Sequence, residues 1–393
     1  MTNPLRNQVF ESIDARRDEM ISFWERLVNM ESYTLSKENV DKVAEYLKKV
    51  IEDFGGKPRL MEFEKAGNGI VATFGEPTDK APICFIGHYD TVFPTGTTAA
   101  RPFKIEDGKA YGPGVLDMKA GVTMQLFIAR LLLECGYAER QIKVLLAGDE
   151  EEGHPFSDIG ETFIEESGGA VAAFNFETGD ISNTLIVARK GTCSYDMEIH
   201  GVSVHAGREP QNGRSAILEM AHKIIDIQAL SDYDGGITYN VGIIKGGTAR
   251  NAVPDYAFVE IDTRSLKRSQ LDEIDAKLKE VAGKTYVQGT TTTLVRGTGS
   301  IPPMERLPGN DKLYAFVKER ADGLGQTVSD AILSGGGSDS AYSVAAGVPT
   351  IDQIGVKGQW NHSDREYAVV DTMFERMKLV VDCVLNIDEF EKR

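Results

Sequence analysis

The chain has 393 residues, 41% of them hydrophobic and 26% charged, with a net charge of −17. A chain of this length can bury a large core and hold two domains. The excess of negative charge argues against nucleic acid or an anionic membrane surface as a partner. No apolar run reaches the roughly 18 residues of a membrane span. The sequence therefore predicts a protein that neither binds nucleic acid nor associates with a membrane.

The N-terminal stretch and the cysteines bear on the compartment. The stretch MTNPLRNQVFESIDARRDEM lacks the apolar segment of a secretion signal and is typical of an amphipathic helix. The four cysteines form no CxxC pair and lie mostly among apolar residues, so we interpret them as reduced core residues rather than metal ligands or disulfides. We therefore expect a cytoplasmic location, and leave open a leader removed before residue 1.

The first half of the chain alternates between helical and strand patterns. Residues 4–30 and 38–54 have helical spacing, and the stretches KPRLMEFE, GIVATFGE and APICFIGHYDT have strand character. A Gly-rich loop then opens the helix MKAGVTMQLFIARLLLECG, which Gly136 should end, and QIKVLLAG and AVAAFNF follow as buried strands. This alternation predicts an α/β domain with a mostly parallel sheet and helices on both faces.

The rhythm changes near residue 192. The elements that follow have the order β-α-β-β-α-β, which is the ferredoxin-like arrangement. After the stretch GTGSIPPMERLPGND, interpreted as a return linker, the α/β pattern resumes with a helix at DKLYAFVKERADGLG, a Gly-rich turn, a strand at VPTIDQIG and a helix from about Thr372. We therefore divide the chain into a catalytic domain in two parts, 1–191 and 302–393, and an inserted domain, 192–301.

Five residues that can bind metal ions lie in short polar stretches that follow apolar runs: His88, Asp117, Glu151, Glu177 and His362. Each alone has an ordinary explanation, such as a surface histidine, a helix N-cap or a solvated acidic turn. In open α/β sheets, however, ligands collect at the carboxyl ends of the strands. Because all five candidates follow apolar runs in this way, the pattern favours a metal centre. Two histidines and three carboxylates are more ligands than one zinc ion needs.

Two further acids stand beside these candidates. Asp90 follows His88 by two residues, so that both side chains can point the same way and Asp90 can accept a hydrogen bond from the histidine ring. Glu150 lies in a run of four acids, Asp149 to Glu152. One glutamate of this run can bind metal while its neighbour takes a proton from water and passes it to a leaving amine.

With these residues the chain resembles the M20 metallopeptidases, which are co-catalytic zinc exopeptidases and amidohydrolases. Within that family it resembles the glutamate carboxypeptidases. The resemblance covers about residues 85–370 and is carried by the stretches GHYDTVF, GPGVLDMKAG, LLAGDEEEG, FETG, GVSVHAG and NHSDREY. It implies a dizinc exopeptidase domain with an inserted ferredoxin-like lid, which commonly forms a homodimer. Two Zn²⁺ per subunit are expected, with Co²⁺ or Mn²⁺ suited to the same ligands.

The resemblance also implies a role for each residue. His88 and Glu177 would complete one zinc site, Glu151 and His362 the other, and Asp117 would bridge the two. The same resemblance implies that Asp90 orients His88 and that Glu150 acts as the general base. A cis peptide bond often follows the bridging aspartate in this family, which makes the bond after Asp117 a candidate.

Residues of the inserted domain and of the Gly-rich turn would contact the substrate. His205 resembles the family histidine that contacts the substrate carbonyl, and Asn251 and Arg264 resemble a substrate-binding asparagine and a carboxylate-binding arginine. Gly337 would offer its backbone. The alternatives are a polar loop histidine, an arginine paired with a nearby acid, and a glycine that serves only its turn. The glutamate carboxypeptidases have a second arginine shortly after the last lid strand, and the resemblance does not assign Arg296 to that place.

We therefore predict a metal-dependent hydrolase that cleaves an amide or peptide bond next to a free amino-acid carboxylate, with glutamate release as one form of this activity. One alternative is an N-acyl-amino-acid deacylase, such as an aminoacylase, an acetylornithine deacetylase or a succinyl-diaminopimelate desuccinylase. Another is a non-catalytic homologue that binds amino acids. The expected partners are a small peptide or N-acyl amino acid and a second copy of the chain.

Overall fold

Side chains of the central strands alternate between two hydrophobic clusters. In the computed structural model, which describes residues 4–392, Phe85 packs in one cluster while its neighbours Cys84 and Ile86 pack in another. Leu145 and Leu146 separate in the same way. Because successive side chains of a strand point to opposite faces, these apolar runs build a sheet with a core on each face.

Helices and short strands alternate along much of the described chain. In chain order, the helices are α1 (Pro4–Ala15), α2 (Arg17–Val28), α3 (Lys37–Asp53), α4 (Thr97–Ala100), α5 (Lys119–Glu134), α6 (Ile159–Ser167), α7 (Ala216–Ala229), α8 (Ser269–Gly283), α9 (Pro308–Gly323), α10 (Ser340–Ala345), α11 (Val370–Leu385) and α12 (Ile387–Glu391). The strands are β1 (Lys57–Met61), β2 (Gly69–Phe74), β3 (Ile83–His88), β4 (Lys104–Glu106), β5 (Lys109–Tyr111), β6 (Ile142–Ala147), β7 (Ala172–Asn175), β8 (Gly179–Asp180), β9 (Leu185–Arg189), β10 (Gly191–His200), β11 (Thr238–Gly246), β12 (Tyr256–Ser265), β13 (Thr291–Ile301), β14 (Ala331–Ser334), β15 (Thr350–Ile351), β16 (Lys357–Gln359) and β17 (Tyr367–Val369).

The central sheet has six strands in the order β1-β2-β6-β3-β7-β15. The pairs β6-β3, β3-β7 and β7-β15 are parallel, whereas β1 and β2 extend one edge in antiparallel pairing. Helix α5 contributes Phe127 to one core and helix α6 contributes Phe163 to the other. The predicted mostly parallel sheet with helices on both faces is thus confirmed, with the addition of an antiparallel edge.

The chain divides into two compact units. The large unit contains the residues up to Ala188, Arg306–Ser334 and the residues from Ser338 on, and the insert unit contains Arg189–Glu305 and Gly335–Gly337. Within the insert unit the elements run β10, α7, β11, β12, α8 and β13, and the sheet order is β11-β12-β10-β13 with every pair antiparallel. This is the β-α-β-β-α-β order that the sequence predicted.

Some stretches fold differently from the prediction. The first residues of the predicted return linker, 297–301, are the end of β13, because pairing with β10 through Thr192 and Ile301 keeps this stretch extended. The predicted strand VPTIDQIG is reduced to the two residues of β15. A five-stranded sheet in the order β4-β5-β17-β16-β8 was not predicted, since its strands have only two or three residues each.

Two further expectations concern cysteines and helices. The cysteines are all free, with Cys84, Cys193 and Cys383 buried and Cys135 partly buried, as expected of reduced core residues. Among residues 4–392, none of the helices has both the length and the apolar character needed to cross a membrane.

Candidate metal centre

Three of the candidate ligands follow parallel strands of the central sheet. His88 is the last residue of β3, Glu151 lies in a short 3-10 helix after β6, and Glu177 lies two residues beyond β7. Because these strands are parallel neighbours, their carboxyl ends meet at one edge of the sheet. The remaining two, Asp117 and His362, lie in the loops before α5 and after β16.

The first group of ligand atoms belongs to His88, Asp117 and Glu177, all of them buried. Nε2 of His88 lies 3.3 Å from Oδ1 of Asp117 and 3.3 Å from Oε1 of Glu177. Although buried, this nitrogen has no hydrogen-bond partner among the residues that the structure describes. A buried nitrogen without a hydrogen-bond partner is unusual in a folded protein, and a bound metal ion would provide its partner.

The second group belongs to Asp117, Glu151 and His362. Nε2 of His362 lies 3.2 Å from Oδ2 of Asp117 and 3.1 Å from Oε2 of Glu151. Asp117 is therefore shared, with one carboxylate oxygen directed to each group. Two ligands at usual zinc distances in a tetrahedral site lie about 3.3 Å apart, so both groups have the donor atoms and the spacing that a divalent transition-metal ion requires.

Asp90 joins the two groups from behind. Nδ1 of His88 lies 3.2 Å from the backbone oxygen of Asp90 and 3.3 Å from Oδ1 of its side chain. The other carboxylate oxygen of Asp90 accepts a hydrogen bond of 3.1 Å from the backbone N–H of Glu151. Since only acceptors surround Nδ1, the proton of His88 lies there, and the lone pair of Nε2 is left for the first group.

Two residues that the sequence analysis did not single out hold Asp117 in place. The buried carboxylate of Glu366 accepts backbone hydrogen bonds of 3.0, 2.8 and 3.0 Å from Gly114, Leu116 and Asp117, and Asn361 donates to Oδ2 of Asp117 at 2.9 Å. Both lie in or beside the stretch NHSDREY, which was the available signal for them. The Asp117–Met118 peptide bond is cis, as predicted.

The site holds more negative charge than its histidines can neutralise. Burial raises the pKa of Glu151 to about 7, with Asp117 adding to the rise and His362 opposing it. Burial would lower the pKa of His88, but Glu150 and the other surrounding carboxylates raise it well above its ordinary value. Hydrogen bonds to Asp117 and Glu151 raise the pKa of His362 to about 11. Buried carboxylates in such proximity favour a bound cation.

Glu150 lies beside the first group without being part of it. Its Oε2 is 3.8 Å from Nε2 of His88, and its side chain is buried. Burial raises its pKa well above the ordinary value; His88 opposes that rise and Glu177 adds to it. A carboxyl group with a raised pKa next to a metal site is suited to accept a proton from water and give it up again.

The predicted substrate contacts His205 and Asn251 are neighbours in the insert unit. His205 forms a bridge with Ala252, and the backbone N–H of Ala206 donates to the oxygen of Asn251 at 2.9 Å. Nδ1 of the exposed His205 accepts a hydrogen bond of 3.1 Å from the backbone N–H of Gly207. The proton of this ring is therefore on Nε2, which makes the exposed nitrogen a hydrogen-bond donor.

The predicted contacts Arg264 and Gly337 already have partners, and so does Arg296, to which the sequence assigned no role. Arg264, on β12, donates from Nε to Asp262 at 2.9 Å, and Arg296, on β13, donates from Nε to Sγ of Cys193 at 3.1 Å. The oxygen of Gly337 accepts a long hydrogen bond of 3.4 Å from Arg189. These three belong to the insert unit, whereas the two groups of ligand atoms belong to the large unit.

A cavity of about 280 Å³ adjoins the ligand groups within the large unit. Its walls include Asn361, the hydrogen-bond donor to Asp117, and Thr178, the residue that follows Glu177. Asp180 and the indole of Trp360 also line it, and no lysine or arginine lies in the part of its wall that is described. The cavity is thus of a size for one side chain or small acyl group, with no cation to hold an anionic one.

Comparisons with known proteins place these features in context. Residues 187–290 match the M20 family model described as a peptidase dimerisation domain. Carboxypeptidase G2 of Pseudomonas sp. (strain RS-16) is 27% identical over 390 residues, which cover 97% of this chain and 92% of that protein. The similarity thus extends over the large unit as well as the insert.

Two further similarities extend over most of the chain. Succinyl-diaminopimelate desuccinylase of Rickettsia felis is 22% identical over 90% of this chain and 96% of its own length. The crystal structure of aminopeptidase PepT from Bacillus cereus superposes with a TM-score of 0.77 and 24% identity, covering 96% of this chain and 99% of that one. At this identity the structural likeness establishes the fold alone.

Proposed function

We propose that this chain is a dizinc hydrolase of the M20 peptidase type that cleaves an amide bond next to a free amino-acid carboxylate. The match of residues 187–290 to the M20 dimerisation domain and the similarity to carboxypeptidase G2 over 97% of the chain support this. The single observation that carries the proposal is the sharing of Asp117 between two groups of ligand atoms, with Glu150 beside them. A lone structural metal needs neither a shared carboxylate nor an adjacent buried acid. A pair of ions acting on one water uses both.

The proposed roles follow from the positions of the side chains. His88, Asp117 and Glu177 would hold one ion, and Asp117, Glu151 and His362 the other. Bound there, the ions would polarise the scissile carbonyl and make the attacking water more acidic. Glu150 takes one proton from that water while the oxygen of the water forms a bond to the carbonyl carbon. It then gives the proton to the nitrogen, and the carbon–nitrogen bond breaks to release the amine.

Residues of the insert unit would bind the rest of the substrate. His205 has its donor nitrogen exposed, as a group that stabilises the carbonyl oxygen requires. The terminal nitrogens of Arg264 can pair with the two oxygens of a terminal carboxylate while Nε stays on Asp262. Asn251 and Gly337 are proposed as further substrate contacts. Arg296, whose Nε donates to Sγ of Cys193, is given no role in the proposal.

The cavity next to the ligand groups bears on the acyl part of the substrate. Among the described walls Asp180 is the one acidic or basic side chain, so an acyl group that carries a carboxylate, such as succinyl, would meet repulsion there. An uncharged or cationic acyl group would not. The lack of a cation in this cavity favours a carboxypeptidase, the activity in the name of the relative carboxypeptidase G2, over the desuccinylase alternative.

We further propose that the insert unit forms a homodimer through the edge strand β11. Ile243 and Ile244 on this strand are exposed, and so are Leu218 and Ile225 on the neighbouring helix α7. An exposed apolar edge strand is a ready surface for pairing with a second strand. The matched dimerisation domain includes β11 and α7 but ends before β13, the opposite edge.

Replacement of Glu150 by glutamine tests the proposed chemistry. We expect Glu150→Gln to lower kcat by a factor of about 10² to 10⁴ while the zinc content stays near two ions per chain. Zinc is measured by mass spectrometry and activity by amine release from a panel of dipeptides, folyl-glutamates and N-acyl amino acids. The exposed neighbour Glu152 is the matched control, and Glu152→Gln should retain activity.

Two results would contradict the proposal in different ways. Loss of zinc from Glu150→Gln would mean that Glu150 is a ligand rather than the base. Failure of the zinc-loaded wild-type protein to release amine from any member of the panel would favour the non-catalytic amino-acid-binding homologue. Preference for succinylated over neutral acyl groups would favour the deacylase.

A further inference from the structure

His154 lies buried between two carboxylates that belong to distant parts of the large unit. Its Nδ1 is 2.8 Å from Oδ1 of Asp149, and its Nε2 is 2.7 Å from Oδ1 of Asp339. All three side chains are buried, with exposed fractions of 7%, 2% and 1% for His154, Asp149 and Asp339. None of the three belongs to the two groups of ligand atoms.

This geometry sets the protonation of the ring. A carboxylate has acceptors but no donor, so a ring nitrogen that faces one at 2.7–2.8 Å must carry a proton. Both nitrogens of His154 face carboxylates, and the ring is therefore a cation with two donors. Burial would lower the pKa of His154, but the charge of Asp339 and the hydrogen bonds to both aspartates raise it well above the ordinary value.

The residues on either side of the imidazolium connect it to the proposed base. Asp149 directly precedes Glu150, and its second oxygen accepts a hydrogen bond of 2.7 Å from Ser157. The backbone N–H of His154 donates to the oxygen of Asp149 at 3.2 Å, which closes the turn that contains Glu150. Asp339 directly precedes helix α10, which packs against the central sheet.

We propose that His154 is a positioning residue that fixes the turn of Glu150 to helix α10. Its bonds to Asp149, from the ring and from the backbone N–H, close the turn around Glu150, and its bond to Asp339 ties that turn to α10. The carboxylate of Glu150 is thereby kept beside the first group of ligand atoms. The inference rests on the proposed role of Glu150 as the base. It extends that role to a group that touches neither substrate nor metal.

Stability alone is a weak reason for such an arrangement. A buried triad of charges is often no more stabilising than apolar side chains of similar volume. His154 also has a positive φ of 59°, a backbone conformation that most residues avoid. A position that favours glycine and is occupied by a buried histidine indicates that the ring itself is required.

The same positive φ makes glycine the substitution of choice. His154→Gly removes the ring without straining the local backbone. Because it leaves two buried carboxylates unpaired, folding of the variant is verified by circular dichroism. We expect its kcat to fall about 10²-fold, the usual effect of a slightly displaced catalytic group, while KM and zinc content stay near those of the wild type. Asp107→Gly is the matched control, since Asp107 is exposed, has a φ of 49° and lies in the turn between β4 and β5.

A second variant tests whether His154 and Asp339 act together. Asp339→Asn keeps an oxygen that accepts a hydrogen bond from the ring but removes the charge of the aspartate. We therefore expect a smaller fall in kcat than for His154→Gly. The double variant should be no slower than His154→Gly alone, because residues that act as a unit are not additive. Additive effects on kcat, or an unchanged kcat in folded, zinc-loaded His154→Gly, would overturn the proposal. So would a fall in kcat that only tracks lost zinc.

Histidine-selective ¹⁵N NMR gives a readout that does not depend on activity. Of the six histidines, one should keep both ring nitrogens protonated at pH 8 in the zinc-loaded protein, and its signal should be missing from His154→Gly. A neutral His154 ring would overturn the proposal whatever the enzyme does. If the wild type shows the doubly protonated ring but releases no amine, the proposed hydrolase function fails, and with it the positioning role of His154.

Discussion

His362 and His88 approach opposite oxygens of Asp117. Nε2 of His362 lies 3.2 Å from Oδ2, and Nε2 of His88 lies 3.3 Å from Oδ1. If each oxygen serves a different ion, the loss of one histidine and the loss of the shared aspartate have different consequences. Metal content per chain therefore tests the sharing directly.

We expect His362→Gln to bind about one zinc ion per chain, because the group of His88, Asp117 and Glu177 remains complete. Asp117→Ala should bind less than one, since it removes a ligand from both groups. Both contents are measured by mass spectrometry after dialysis against a weak chelator. His222→Gln, in the insert unit, is the control and should retain two ions. Equal zinc contents in the two test variants would show that Asp117 is not shared.

Replacement of Glu366 should destabilise the loop that carries Asp117. Glu366→Gln exchanges one acceptor oxygen for an amide group, so at least one buried N–H among Gly114, Leu116 and Asp117 loses its acceptor. Leaving a buried donor unsatisfied costs about 1–3 kcal/mol. Urea denaturation of the zinc-loaded protein measures this loss, with the exposed Glu11→Gln as the control. A change below about 0.5 kcal/mol, the usual effect of a surface substitution, would show that the three hydrogen bonds matter little.

Arg264 should act on substrates that have a free carboxylate and on no others. Arg264→Gln removes the charge and the paired donors, and the loss of a charge-assisted pair should lower kcat/KM for a dipeptide by roughly 10- to 100-fold. The same substrate with an amidated C-terminus should be cleaved equally by wild type and variant. Arg306→Gln, which removes an arginine paired with Asp311, is the control. An equal loss on both substrates would assign Arg264 a structural role through Asp262.

The two edges of the insert sheet should respond differently to a charge. Ile244 on β11 and Val295 on β13 are similarly exposed, at 58% and 54%. We expect Ile244→Glu to shift the protein from dimer to monomer in sedimentation velocity, because two charges would be buried at the paired edge. Val295→Glu should remain dimeric. A wild-type protein that sediments as a monomer at micromolar concentration would contradict the proposed dimer itself.

The cysteines should differ in reactivity in the native protein. Burial raises the pKa of Cys84 to about 12 and that of Cys383 well above its ordinary value, so both stay protonated near pH 8. The partly buried Cys135 should therefore react first with iodoacetamide, and Cys135→Ser should abolish that early reaction. Mass spectrometry of the intact protein follows the modification. Early alkylation of Cys84 would mean that the central sheet opens more readily than its burial suggests.

The elements that the sequence predicted well are those whose signals are local. The predicted strand YAFVEIDTRS coincides with β12 and the predicted helix SQLDEIDAKLKEVAG with α8, because their alternation and helical spacing need no distant partner. The strands of the five-stranded sheet have two or three residues and depend on pairing with distant chain segments, as between β17 and β5. No pattern within such a short segment could predict them.

The candidate site shows the same limit. His88 and Glu151 stand out because a chemically distinctive side chain directly follows an apolar strand. Glu366 does not, since its function depends on backbone N–H groups about 250 residues earlier in the chain. His154 was likewise missed, because its role depends on Asp339 and on a ring orientation that only the folded chain defines.

The insertion of one unit into the other has a consequence for synthesis on the ribosome. His88, Asp117 and Glu177 all precede the insert, whereas His362 follows it. The first group of ligands is therefore synthesised before the insert, whereas Asn361 and Glu366, which hold Asp117, are synthesised after it. The second group has to wait for the last part of the chain. The metal centre would thus be completed late in synthesis, when one short stretch supplies both the second histidine and the residues that hold the shared aspartate.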